Sequence, residues 1–156
     1  MTGSPLDITT QDNIVVAMAR YKRFEDLPVW QEAERLYGAV LDLLEGSPKG
    51  LSYGFRNQID RASLSVSNNI AEGFERMSTA QLLSFLETAR GSAGEVRSMV
   101  AVVIRRPRRS TFSQELGVIR TLAESCSRQI GAWMMSIERS PVKGKRHRTP
   151  QASKQR

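Results

Sequence analysis

Residues Gln58 to Glu95, QIDRASLSVSNNIAEGFERMSTAQLLSFLETARGSAGE, constrain the fold more than any other stretch. Apolar residues recur at helical spacing on both sides of a polar break at Arg76 to Ser78, which predicts two long helices joined by a short turn. The inward stripe of the first of these is expected to hold Phe55, Ile59, Ala62, Val66, Asn69 or Ile70, and Gly73. An amide and a glycine then occupy positions that a core helix normally gives to leucine. A buried amide without partners costs about 1–3 kcal/mol, so partners are expected on the returning helix. Gly91, Ser92 and Glu95 are expected to pass Asn69, Glu72 and Gly73, with the two glycines letting the backbones approach. These six residues form the expected structural polar lock.

The remaining helices follow from the same periodicity. Pro28 suits the first turn of a helix that starts near Asp26, carries Trp30, Ala33, Tyr37, Val40 and Leu44 inward and stops at Glu45-Gly46-Ser47-Pro48. After Lys49 and Gly50 the second helix begins near Leu51 or Ser52 and reaches Arg76, about 26 residues or roughly 39 Å. Ser78-Thr79-Ala80-Gln81 has capping-box spacing and opens a third helix. That helix buries Leu82, Phe85, Leu86, Ala89, Ala93, Val96, Val100 and Val103, and Pro107 ends it. Thr111-Phe112-Ser113-Gln114 then caps a fourth, with Leu116, Ile119, Leu122 or Ala123, Cys126, Ile130, Trp133 and Ile137 inward. Four helices of similar length with short loops predict an all-α, up-down-up-down bundle with antiparallel neighbours.

The domain boundaries follow from composition. Met1 to Lys22 is expected to be a leader, either poorly ordered or a docking arm; residues 23–138 form the bundle, and 139–156 a disordered basic tail. The net charge of +7 is concentrated in that tail, which has seven Lys or Arg and no acid, leaving sixteen basic against sixteen acidic residues elsewhere. Ile14 to Ala19, the longest apolar run near the start, is too short for a signal-peptide core, and the lone Cys126 forms no internal disulfide; a cytoplasmic location is expected.

No catalytic constellation emerges. The single histidine, His147, lies in the tail, so the Glu-x-x-His pairs of a di-iron bundle are absent and no metal or cofactor is expected. The chain carries no Walker loop, dinucleotide fingerprint or nucleophile elbow. Cys126 reads as a small core residue, and an acid/base pair of Glu72 and Glu95, with a hydrolase-like activity, is the weakest of three readings.

Arginine supplies a stronger one. Arg105, Arg106, Arg108 and Arg109 cluster at one end of the bundle, and Arg90, Arg97, Arg120 and Arg128 extend a positive stripe along the third and fourth helices. Guanidinium forks fit phosphate oxygens, and Lys143, Lys145, Arg146 and Arg148 in the tail add salt-sensitive attraction. Both basic regions lack interleaved aromatics, so the expected target is the backbone of RNA or DNA rather than its sequence. The alternative is a protein-binding scaffold whose tail only solubilises.

Several motifs in order carry a resemblance: Phe24-Glu25-Asp26-Leu27-Pro28-Val29-Trp30-Gln31, Gln58-Ile59-Asp60-Arg61-Ala62, Asn69-Ile70-Ala71-Glu72-Gly73, and Phe85-Leu86 with Ala89-Arg90-Gly91-Ser92 and Glu95. From Phe24 to Ile137 the chain resembles the four-helix proteins encoded in intervening sequences of large-subunit ribosomal RNA genes. That family includes Avd, the accessory variability protein of diversity-generating retroelements. The chain departs from the family pattern at Asp60, where an arginine is expected beside Arg61, and in the Arg105 to Arg109 run. The resemblance implies a ring-shaped homopentamer and, for an Avd-like member, association with a reverse transcriptase and its template RNA in mutagenic cDNA synthesis. In such a ring Leu64, Leu83 and Met99, which lie off the inward stripes, either face neighbouring subunits or widen the core.

Overall fold

A computed structural model describes residues 21–46, 50–106 and 112–141, and the fold is all-helical over them. Four helices account for nearly all of these residues: α1 (Pro28–Glu45), α2 (Tyr53–Glu75), α3 (Thr79–Ile104) and α4 (Ser113–Arg139). A single 3-10 turn, Phe24–Asp26, precedes α1. No β-strand forms among the described residues.

Local chemistry sets the helix ends. Pro28 begins α1, where its missing N–H costs nothing. Ser52 caps α2, its Oγ accepting the Phe55 amide at 3.1 Å, and Ser78 caps α3 by accepting the Gln81 amide at 3.2 Å. The fourth helix differs from expectation: Phe112 holds the N-cap position and supplies no side-chain cap. Thr111 and Pro107 lie outside the described residues, as do the leader to residue 20 and the tail from residue 142.

Spacing of the apolar residues dictates the packing. Buried positions in α3 are Leu82, Leu86, Ala89, Ala93, Val96, Val100 and Val103, and in α4 they include Leu116, Ile119, Ala123, Cys126, Ile130, Trp133 and Ile137. Both sets step by four and three residues in alternation, the repeat by which helices of a bundle mesh side by side. Each helix packs on two neighbours, α1 on α2 and α4, and α3 on the other faces of the same two.

Three inward stripes differ from expectation. In α1 the buried set is Val29, Glu32, Ala33, Leu36, Val40 and Leu43, while Trp30, Tyr37 and Leu44 sit half-buried at its border. Trp30 tilts against Phe24 of the preceding turn, ring centroids 5.3 Å apart, and the Tyr37 hydroxyl reaches Asp60. Amphipathic rings with a polar tip suit a border better than a closed core. In α2 the choice between Asn69 and Ile70 falls to Ile70, which is fully buried, and Phe55 is only partly so. Phe85 of α3 is likewise partly buried, covering Gly73.

Candidate nucleic-acid interface

Two seams flank α3, and the residues singled out in the sequence divide between them. On the α2 side, partner numbers fall as α2 numbers rise: Glu95 accepts a hydrogen bond from Gln58, Ser92 meets Ser65, and Phe85 meets Gly73. A Cβ on Gly73 would stand 2.9 Å from the Phe85 Cβ and 3.2 Å from Leu82 Cδ1, so the two helices approach closely there.

This register corrects the expected polar lock. Because the α2–α3 turn is short, Gly73 faces Leu82 and Phe85 rather than Gly91 or Ser92. Asn69 Nδ2 donates to the Ser65 carbonyl at 2.7 Å and to Ser65 Oγ at 2.9 Å, and Ser65 Oγ lies 2.9 Å from Ser92 Oγ. Asn69 thus reaches α3 through Ser65, which the sequence did not single out. Gly91 is exposed and has open space at its Cβ position, so it brings no backbones together. Glu72 is exposed and paired with Arg76 one turn on, whose guanidinium also lies over the Phe85 ring at 4.9 Å. Since Glu95 sits opposite Gln58, about 21 Å of helix separates it from Glu72, too far for the two carboxylates to share one proton-transfer site.

The α4 side of α3 has another character. Arg90 and Arg97, two turns apart, point towards α4, with Gly94 and Ala101 on the same flank. Arg90 extends across the seam: a Cβ on Gly131 of α4 would lie 3.5 Å from its Cζ. Arg97 reaches Glu124 of α4, Nη2 to Oε1 3.8 Å, and Arg120 Nε donates to the same oxygen at 3.1 Å. The seam therefore carries three exposed guanidinium groups and one carboxylate between two of them. Arg90 has no ion-pair partner among the described residues.

The rest of the expected arginine stripe disperses. Arg128 is exposed further round α4, and its charge acts on Glu32 of α1. Arg105 ends α3, whereas Arg106 turns to the α2 side and lines a shallow hollow with Leu51, Phe55, Val102 and Val103. Arg108, Arg109, Lys143, Lys145, Arg146 and Arg148 lie outside the described residues.

Two further polar contacts tie α1 down. Burial pushes the Glu32 carboxyl up, but the Ser125 hydroxyl, Arg35 and Arg128 together outweigh it, leaving the group below the ordinary carboxylate range. Its i,i+3 spacing to Arg35 was a legible signal; its contact with Ser125 was not. Tyr37 donates to Asp60 Oδ1 at 3.1 Å, and burial, then that hydrogen bond, then the Asp60 charge raise the phenol above its usual range. Asp60 thus has a structural task as the acceptor for Tyr37. Cys126 is fully buried, its thiol pushed up to about 12 chiefly by burial, so it stays protonated and unreactive at neutral pH. No group of three or more His, Cys, Asp or Glu side chains capable of holding a metal ion occurs among the described residues, nor is any described helix long and apolar enough to cross a membrane.

These features define a four-helix bundle with an arginine-bearing outer seam. Residues 25–132 match the 23S rRNA-intervening sequence protein family, and the chain belongs to it. That membership is compatible with a non-catalytic, RNA-associated protein. No curated protein matches the chain.

Proposed function

We propose that this protein is a non-catalytic, homo-oligomeric accessory that binds the RNA backbone. The α3–α4 seam carries this reading: Arg90, Arg97 and Arg120 present guanidinium groups from two helices along one exposed face. Planar guanidinium forks suit phosphate oxygens, and backbone contacts of this kind are indifferent to sequence. The helices run up-down-up-down with antiparallel neighbours, an order supported by the falling register on the α2–α3 seam. A homopentamer and an Avd-like partnership with a retroelement reverse transcriptase belong to the same reading and rest on kinship, while a cytoplasmic location rests on the lone cysteine, Cys126.

A protein-binding scaffold is the second reading, favoured by the hollow at Leu51, Phe55, Val102 and Val103, beside which Tyr53 is 81% exposed. Light scattering on a sizing column, with and without a structured RNA, separates the two. The RNA reading predicts an oligomer that shifts with RNA at low salt. An oligomer that ignores RNA at every salt concentration supports the scaffold instead.

A further inference from the structure

Glu124 lies within ion-pair distance of two arginines from different helices. One of its oxygens, Oε1, lies 3.1 Å from Arg120 Nε on its own helix and 3.8 Å from Arg97 Nη2 on the neighbouring one. One anionic oxygen thus accepts a hydrogen bond from Arg120 and lies within ion-pair range of Arg97 on the other helix, a pair of guanidinium groups that can also engage a phosphate. All three side chains are open to solvent, with relative exposures of 45% for Arg97, 50% for Arg120 and 32% for Glu124. Exposed pairs of this kind contribute only about 0–1 kcal/mol, so an incoming anion can displace the carboxylate.

From this we infer that Glu124 is a built-in counter-anion that competes with nucleic-acid phosphate for Arg97 and Arg120 and so limits the affinity of the seam. The inference rests on the RNA-binding reading above. Arg90 stands apart from the competition: it lies over the α4 backbone at Gly131 and has no acidic partner among the described residues. The seam therefore has one open arginine, which makes the first contact, and two that are occupied until Glu124 gives way. After displacement the carboxylate remains on the same helical turn and repels the phosphate that replaced it. That repulsion restrains indiscriminate binding to any polyanion and leaves longer, multiply contacted backbones favoured.

The test is Glu124→Gln in the full chain, which keeps the shape and removes the charge. A 20-base-pair RNA duplex is titrated at several salt concentrations. Repulsion of one charge at a few ångströms near a surface predicts binding tighter by about 5- to 10-fold at low salt. The salt slope should change little, because Arg97 and Arg120 engage phosphate in both complexes once Glu124 has given way. Glu34→Gln, an exposed carboxylate on α1, makes the same change in net charge away from the seam and is expected to move affinity by less than about twofold. Arg90→Glu serves as the control for the reading beneath, and thermal melts confirm that each variant is folded. If Glu124→Gln binds no more tightly than wild type while Arg90→Glu still weakens binding, the inference is overturned and the RNA reading stands. Equal tightening by Glu34→Gln also overturns it, because net charge alone then explains the gain. If neither wild type nor Glu124→Gln binds the duplex at any salt concentration, the RNA reading falls and takes the inference with it.

Discussion

The two flanks of α3 divide the work of the molecule. Towards α2 it presents Phe85 and Ser92, which meet Gly73 and the Asn69–Ser65 relay in a closely packed seam. Towards α4 it presents Arg90 and Arg97, whose charged ends lie at the surface with Gly94 open between them. One helix thus fixes the hairpin with small residues on one side and displays charge on the other. In the Gln58–Glu95 stretch, Asn69, Gly73 and Ser92 tie α2 to α3, whereas the surface proposed for RNA lies on the opposite flank of α3.

Substitutions can break or sharpen this contrast. The largest effect is expected from Gly73→Leu, because even a Cβ at that position meets the Phe85 Cβ at 2.9 Å, an atom fixed to the α3 backbone. Overpacking that the backbone must absorb costs about 1–3 kcal/mol and here should exceed the upper end. Urea unfolding would show a loss of stability of that size, and an unchanged midpoint would mean that the helices are not closely apposed at Gly73.

Leu86→Ala should cost about 2–5 kcal/mol, since Leu86 is fully buried in the stripe shared by both flanks. It should lower stability without altering RNA affinity per folded molecule; a matched loss of affinity at temperatures where the variant is fully folded would deny that the flanks act separately.

A smaller cost, about 1 kcal/mol, is expected for Ser65→Ala, which removes the hydroxyl linking Asn69 to Ser92. Urea unfolding of Ser65→Ala measures that cost, and a double-mutant cycle with Ser92→Ala tests the link, additive losses showing that no coupling crosses the seam.

The smallest effect concerns acid. Glu32 is held below the ordinary carboxylate range, so its contribution is present above the ordinary value of 4.5 and is lost as pH falls through the lowered one. Glu32→Gln should therefore narrow the stability gap between pH 7 and pH 3 by a fraction of a kcal/mol. Denaturant midpoints at the two pH values check this, and an unaltered gap would remove Glu32 from the acid response.

What could be read from the sequence depended on how far each signal reaches along the chain. The α3 and α4 stripes were legible because their apolar residues repeat regularly; the one choice left open in α4, Leu122 or Ala123, falls to Ala123, and Phe85 is the one residue of the α3 set that stays only partly buried. In α1 two sets compete: Trp30, Tyr37 and Leu44 repeat every seven residues, and so do Val29, Leu36 and Leu43 one position earlier. Hydrophobicity alone cannot choose between them; the polar tip of Tyr37, which needs Asp60, decides. Register across the α2–α3 hairpin was misjudged although its turn at Arg76 to Ser78 was read correctly: pairing back from that turn sets Glu95 opposite Gln58, eleven residues before Asn69. Of the arginine seam, the i,i+4 pair of Arg120 and Glu124 was visible in the sequence, but the approach of Arg97 from another helix was not.

The salt dependence of RNA-duplex binding, compared between wild type and the Arg90→Glu, Arg97→Glu double variant, tests the central claim most directly. If the α3–α4 seam holds the backbone, log affinity of the wild type falls linearly with log salt, and the variant binds at least about tenfold more weakly with a slope reduced by about two phosphate contacts. Parallel lines of equal affinity would place binding elsewhere on the protein and contradict the assignment of this seam.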